Sequence, residues 1–316
     1  MAQPGVDVIV SEVGPRDGLQ GLSRTMPTAA KHRWIAALAG AGLREIEVAS
    51  CVPPSLMPTM ADAEEVIREA VRLPGITVLA LAPNAKGAER AFGAGAHRVT
   101  MPVSASHEHS RANVRRTPEE SVEAVAQACR LRDALPAGRR PGVEVGISMA
   151  FGAPEGAVDE GWVLDLATRC ARAGADAVGL SDTAGVASPA QVKRLFHALR
   201  RELGHRTGGA HFHDTRGLGL ANVVAALEAG VTTFDAAHGG LGGCPFVPGA
   251  AGNVDTEDLV FLLESVGLRT GVDLERLLAA RALLQEALPG ERLRGRLAEA
   301  GLPKGFVPAS RRGNGT

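Results

Sequence analysis

Two histidines separated by one residue, His211-Phe212-His213, raise the question of metal chemistry. On a strand, where side chains alternate between faces, both imidazoles point the same way and can share one cation, while Phe212 and Asp214 point the other way. Two imidazoles want oxygen partners, and Asp17 and Asn253 are the best-suited donors elsewhere in the chain. A mixed nitrogen and oxygen set of this kind suits Mg²⁺ or Mn²⁺, with Co²⁺ or Zn²⁺ able to substitute. Taken alone, the spacing also fits a pair that only packs and hydrogen-bonds in a core. Other reactive groups are Glu12, Arg16 beside Asp17, Glu47, Ser181-Asp182-Thr183, His238 and Cys244. Cys244 lies in Gly-Gly-Cys-Pro, close to Gly239, Gly240 and Gly249, a loop suited to tight turns or to close approach of a ligand. A lone cysteine is more often a small buried hydrophobe, and Cys51, Cys129 and Cys170 are read that way. His32, His97, His107, His109, His197 and His205 are read as surface or packing residues, whereas His238 has a suggestive position and no implied partner.

The elements that carry these groups repeat. Short apolar runs at 7–13, 45–50, 76–81, 98–104, 143–150, 177–182, 210–214 and 232–238 have strand length, and longer amphipathic stretches separate them. Eight such units in succession match a (β/α)₈ TIM barrel better than an open doubly wound sheet. A Gly/Pro-rich loop, 239–252, follows the eighth strand, and a helix is expected from about Thr256. The barrel is expected over about 7–268, extra C-terminal helices at 273–288 and 291–300, and a disordered tail at 310–316, all within one catalytic domain. In such a barrel, strand C-termini and the loops after them form the active face. Nearly every group named above falls there. A charged group in a barrel interior needs a partner or a metal, because an unpaired buried charge costs on the order of several kcal/mol.

Composition excludes some roles. With 34 basic and 35 acidic residues the net charge is −1, without the basic clusters that nucleic-acid binding leaves. Four cysteines without close or zinc-ribbon spacing argue against a disulfide framework and suggest a reducing compartment. No apolar run reaches the length of a membrane span, so the expectation is a cytoplasmic protein with no membrane or nucleic-acid partner.

At these residues the chain resembles the 3-hydroxy-3-methylglutaryl-CoA lyase family. Val13-Gly-Pro-Arg-Asp-Gly-Leu-Gln20 is similar to the family's first-strand motif, and Ile46-Glu-Val-Ala-Ser50 with Val52-Pro53 and 58–62 to its second unit. His211-Phe-His-Asp-Thr215 resembles the metal strand. Gly240-Leu-Gly-Gly-Cys-Pro-Phe246, with Gly252-Asn253 and Thr256-Glu-Asp-Leu-Val260, resembles the catalytic-cysteine loop. The resemblance implies a divalent cation held by Asp17, His211, His213 and Asn253, with Arg16, Glu47, Asp182 and Cys244 around an acyl-CoA substrate. It also implies a homodimer. The implied reaction is retro-Claisen cleavage of a 3-hydroxyacyl-CoA, with His211 as proton acceptor and ligand, Arg16 on the thioester oxygen, Cys244 as proton donor, and Glu47 and Asp182 as orienting groups.

Two segments depart from the family pattern. Arg216-Gly-Leu-Gly219 stands where the lyases have Tyr-Gly-Gln-Ala, and Met149-Ala-Phe-Gly-Ala-Pro154 where they have Cys-Ala-Leu-Gly-Cys-Pro. These changes spare the metal and cysteine motifs, so the reaction type is kept while the acyl group is left open to citramalyl-CoA or a longer branched 3-hydroxyacyl-CoA. A Claisen-condensing synthase is the related alternative. About 50 residues follow the eighth unit, too few for the long C-terminal regulatory region common among such synthases. A barrel that binds a metal or acyl-CoA without turnover would have to explain why six chemically matched groups gather on one face.

Overall fold

The computed structural model describes residues 5–242 and 252–312. Its strands are β1 (Ile9–Glu12), β2 (Glu45–Ser50), β3 (Thr77–Leu81), β4 (Arg98–Ser104), β5 (Gly142–Ser148), β6 (Ala177–Asp182), β7 (Thr207–Phe212) and β8 (Thr233–Ala236). All neighbours are parallel, and β8 pairs with β1 to close the barrel, which confirms the expected (β/α)₈ architecture. Helices α1 (Thr28–Gly40), α2 (Ala63–Ala70), α3 (Ala85–Ala94), α4 (His107–Val114), α5 (Pro118–Asp133), α6 (Glu160–Arg172), α7 (Pro189–Leu203), α8 (Gly219–Glu228) and α9 (Thr256–Ser265) surround it. Two more, α10 (Leu274–Ala287) and α11 (Arg296–Ala300), follow.

Local sequence explains where the helices begin. Asn84, Ser106, Thr117, Asp159, Ser188, Asp255 and Asp273 each place a side-chain oxygen on a first-turn amide, satisfying donors that have no partner inside the helix. Apolar faces then close on the barrel: Trp34, Leu38, Leu195, Phe196, Leu263 and Leu277 are fully buried. At about 25 cal/mol per Å² of apolar surface, each such side chain contributes roughly 2 kcal/mol.

The interior of the barrel is polar where many barrels stack branched aliphatics. Arg98 Nη1 lies 2.7 Å from Glu45 Oε2 and 3.1 Å from Glu144 Oε1. Burial, followed by the charge of Glu45, pushes the Glu144 carboxyl up to about 7. Above this layer is a cavity of about 70 Å³, whose lining includes Ser11, Glu45, Glu47, Glu144, His211 and Asp235.

Several sequence expectations need correction. β7 starts earlier than 210 and ends at Phe212, so His213 lies just past the ladder. Two of its opening residues, Gly208 and Gly209, are poor strand formers, yet a Cβ on Gly179 would lie 2.4 Å from the Gly209 carbonyl oxygen, so glycine is what lets β6 and β7 approach. β8 ends at Ala236, leaving His238 in a short 3₁₀ turn. The helix expected at 291–300 is reduced to Arg296–Ala300, because Gly290 and Gly295 hold φ of +87° and +110°. Part of the tail expected to be disordered is anchored: Ser310 donates to the Glu264 carboxylate from its amide at 2.7 Å and from its hydroxyl at 2.6 Å.

Candidate metal and catalytic site

β1 runs into a single π-helical turn, Gly14–Gly18, in which the Gly18 amide reaches back 3.4 Å to the Val13 carbonyl. Turns of this kind often mark functional sites, since the extra residue re-aims neighbouring side chains. Glycine is required at position 14: an added Cβ would lie 2.5 Å from Glu12 Oε1. That same oxygen accepts from the Gly14 amide at 2.7 Å and from the His238 amide at 2.9 Å, and Glu12 Oε2 accepts from the Thr256 hydroxyl at 2.7 Å. The Glu12 carboxyl therefore ties the ends of β1 and β8 to the start of α9. Its complete burial raises it to about 7 despite these bonds.

The turn projects Arg16 and Asp17. Arg16 donates through Nε to Glu47 and through Nη1 to Asp17, and Nη2 has no protein partner among the described residues. Asp17 also accepts from Gln20 Nε2 at 2.9 Å and from Asn253 Nδ2 at 2.8 Å. Burial opposes its charge, but Arg16, then the two histidines, hold it down at about 2.

Ligand atoms of Asp17, His211 and His213 lie within 4.8 Å of one another, and the two imidazole centroids are 5.1 Å apart. Asn253 arrives by a route that the sequence does not announce. Residues 252–255 return from the β8 loop and wedge between the upper ends of β7 and β8. There His213 bridges Asn253, Ala237 bridges Asp255, and the Val254 amide donates to the Phe212 carbonyl at 3.1 Å. Asn253 is 3% exposed, its Nδ2 is spent on Asp17 and on the Leu241 carbonyl, and its Oδ1 is buried without a partner. A lone buried acceptor beside a carboxylate and two imidazoles fits a hard cation with mixed oxygen and nitrogen ligands.

The histidines differ electrostatically. His213 is lowered to about 4, first by burial and then by the charge of His211. Burial also opposes charge on His211, but its 3.0 Å hydrogen bond to Asp235 and the fields of Asp235 and Asp17 raise it above the ordinary value. Asp235 and Gln20 were not singled out by sequence reasoning. The one clue to Asp235 was a solitary acid inside an apolar strand.

Glu47, 2% exposed, is raised by burial, offset by Arg16. Asp182 spends its two oxygens on the amides of Val186 and Ala187, at 2.9 and 3.1 Å, so it organises the loop between β6 and α7; burial raises its carboxyl. Cys244 lies outside the described residues. His238 has found its partners: its Nδ1 accepts from Trp34 Nε1 at 3.1 Å and its Nε2 faces the Leu277 carbonyl at 2.9 Å. Cys51, Cys129 and Cys170 are buried, and burial pushes their thiols up to about 11, 11 and 12. They are packing residues.

The hydroxymethylglutaryl-CoA lyase of Pseudomonas mevalonii is 42% identical over 271 residues, covering 85% of this chain and 88% of that one. That of Bacillus subtilis (strain 168) is 39% identical over 282 residues, covering 89% and 93%. Among solved structures, an HMG-CoA lyase from Acinetobacter baumannii in complex with coenzyme A and 3-methylmalate superposes with a TM-score of 0.89 at 38% identity, covering 98% of this chain and 99% of that one. The HMGL-like family matches residues 7–284, and the chain belongs to it.

Proposed function

We propose that the protein is a carbon–carbon lyase that cleaves 3-hydroxy-3-methylglutaryl-CoA to acetyl-CoA and acetoacetate. The observation that carries this reading is the convergence of Asp17, His211, His213 and the unpartnered Asn253 Oδ1 next to Arg16, in a chain whose relatives are hydroxymethylglutaryl-CoA lyases.

Asp17, His211, His213 and Asn253 would hold one Mg²⁺ or Mn²⁺, which when bound supplies acidity and orientation to the substrate's 3-hydroxyl. With Nδ1 of His211 given to Asp235, the hydroxyl proton goes to Nε2, the one nitrogen left open. Nε2 has one lone pair, so it would serve the ion or the proton and not both at once. As the O–H electrons form the ketone, the C2–C3 bond breaks and its pair passes into the thioester enolate. Arg16 stabilises that enolate oxygen, Nη2 being free for it while Glu47 and Asp17 fix the guanidinium plane. Cys244 delivers a proton to the enolate carbon. Asp182 acts at one remove, through the loop it braces.

The test is acetyl-CoA release from hydroxymethylglutaryl-CoA and from citramalyl-CoA, with Mg²⁺ or Mn²⁺ and after EDTA, in wild type and Cys244→Ala. Metal-dependent cleavage of the first substrate, reduced at least about 100-fold in the variant, supports the proposal. Cleavage of citramalyl-CoA alone would keep the chemistry and replace the substrate; activity unaffected by EDTA would remove the metal from it.

A further inference from the structure

We infer that Asp235 is a positioning residue for the metal site, holding the His211 ring in the tautomer and orientation that ligation needs. The inference rests on the metal-lyase reading above and assigns a role to a residue which that reading leaves unused. His211 and Asp235 are direct neighbours in the β7–β8 ladder, both turned into the barrel, with Nδ1 and Oδ2 3.0 Å apart. A carboxylate only accepts, so the shared proton belongs to Nδ1, and the lone pair is left on Nε2 toward Asp17 and His213.

Two further observations argue that Asp235 serves His211 rather than packing. Among the described residues no Lys or Arg pairs with it; His211 is its sole ion-pair partner. It also faces a cavity that already contains the carboxylates of Glu45, Glu47 and Glu144, each of which feels its charge unfavourably, against the favourable charge of Arg16 in the same lining. A further negative group in such a place works against the fold unless it performs a task.

The experiment measures Mn²⁺ binding to the whole protein without substrate, by calorimetry, together with thermal unfolding. The proteins are wild type, Asp235→Asn, Asp235→Ala and Glu144→Gln. Asp235→Asn keeps the shape and loses the charge, and Glu144→Gln removes a carboxylate from the same cavity without touching His211. The expected result is Mn²⁺ affinity about 10- to 100-fold weaker in both Asp235 variants and within about twofold of wild type in Glu144→Gln. At saturating Mn²⁺, kcat should fall in Asp235→Asn more than KM for the acyl-CoA rises.

Affinity in Asp235→Asn within about twofold of wild type would overturn the inference while leaving the lyase reading intact. A lowered melting temperature with unchanged Mn²⁺ affinity would overturn it too, since it would show a structural role only. An equal loss in Glu144→Gln would replace it with a general effect of cavity charge. Wild type that binds no Mn²⁺ would remove both the inference and the metal reading.

Discussion

At the scale of single residues, the two imidazoles occupy opposite ends of the same electrostatic problem. His213, held near 4 by burial and by its neighbour, is neutral and ready to ligate at any pH above about 5. Burial opposes charge on His211, but the Asp235 hydrogen bond and the fields of Asp235 and Asp17 raise it above its ordinary value, so a cation there competes with a proton. Mn²⁺ affinity followed by calorimetry should therefore rise about tenfold per pH unit until the His211 value is passed, then level off. A flat profile between pH 6 and 8 would contradict this account. Asn253→Ala removes the unpartnered oxygen and should weaken Mn²⁺ by roughly tenfold or more, while the far-ultraviolet dichroism stays native. The candidate ligand types could be picked out of the chain, because His-x-His at strand spacing puts both imidazoles on one face, though that spacing alone fits packing as well. Asp235 could not be, because its partner is decided by the register between β7 and β8, which no local pattern encodes.

At the scale of elements, the π-helical turn after β1 carries the strictest demand. Gly14→Ala would drive a methyl against Glu12 Oε1, and stability should fall by about 1–3 kcal/mol, with turnover lost as Arg16 and Asp17 shift. Urea unfolding and acetyl-CoA release check the two halves separately. The buried Glu12 carboxyl beneath the turn makes a pH prediction whose sign follows from its shift. Raised from 4.5 to about 7, it binds its proton more tightly folded than unfolded, so stability falls as pH climbs through that window and is level above it. Glu12→Gln should flatten the fall by roughly 3 kcal/mol between pH 4.5 and 7.5. Urea titrations at both pH values would show the same change in unfolding free energy for wild type and Glu12→Gln if the carboxyl ionises freely. Strands were legible in the sequence where short apolar-rich runs stand between longer amphipathic stretches: β2, β4 and β6 lie where that pattern put them. Boundaries failed where glycine intervened, at the Thr-Gly-Gly opening of β7 and between Gly290 and Gly295 before α11, since there the conformation is set by close packing or positive φ.

At the scale of the whole molecule, the eightfold repetition was the most legible feature, because eight successive alternations match a closed barrel better than an open doubly wound sheet. No helix among the described residues is long and apolar enough to cross a membrane. A cation bound only by the folded state must also stabilise it, so dialysis against EDTA should lower the melting temperature by a few degrees and Mn²⁺ at about 100 times its Kd should restore roughly 3 kcal/mol. Scanning calorimetry with and without the ion checks this, and identical traces would rule out a resident metal. The homodimer expected from the family resemblance would appear as twice the chain mass in light scattering.

The wedge formed by residues 252–255 has one more implication. Asn253 Nδ2 lies 3.0 Å from the Leu241 carbonyl oxygen, so the chain leaves the candidate metal site and returns to it at almost the same point. Leu241 and Asn253, which flank residues 243–251 in the sequence, are thus joined by the side chain proposed as a ligand. With its flanking residues joined in this way, the sequence around Cys244 can vary in the course of evolution while Asp17, His211 and His213 stay in place, leaving one proposed metal platform open to a succession of acyl groups.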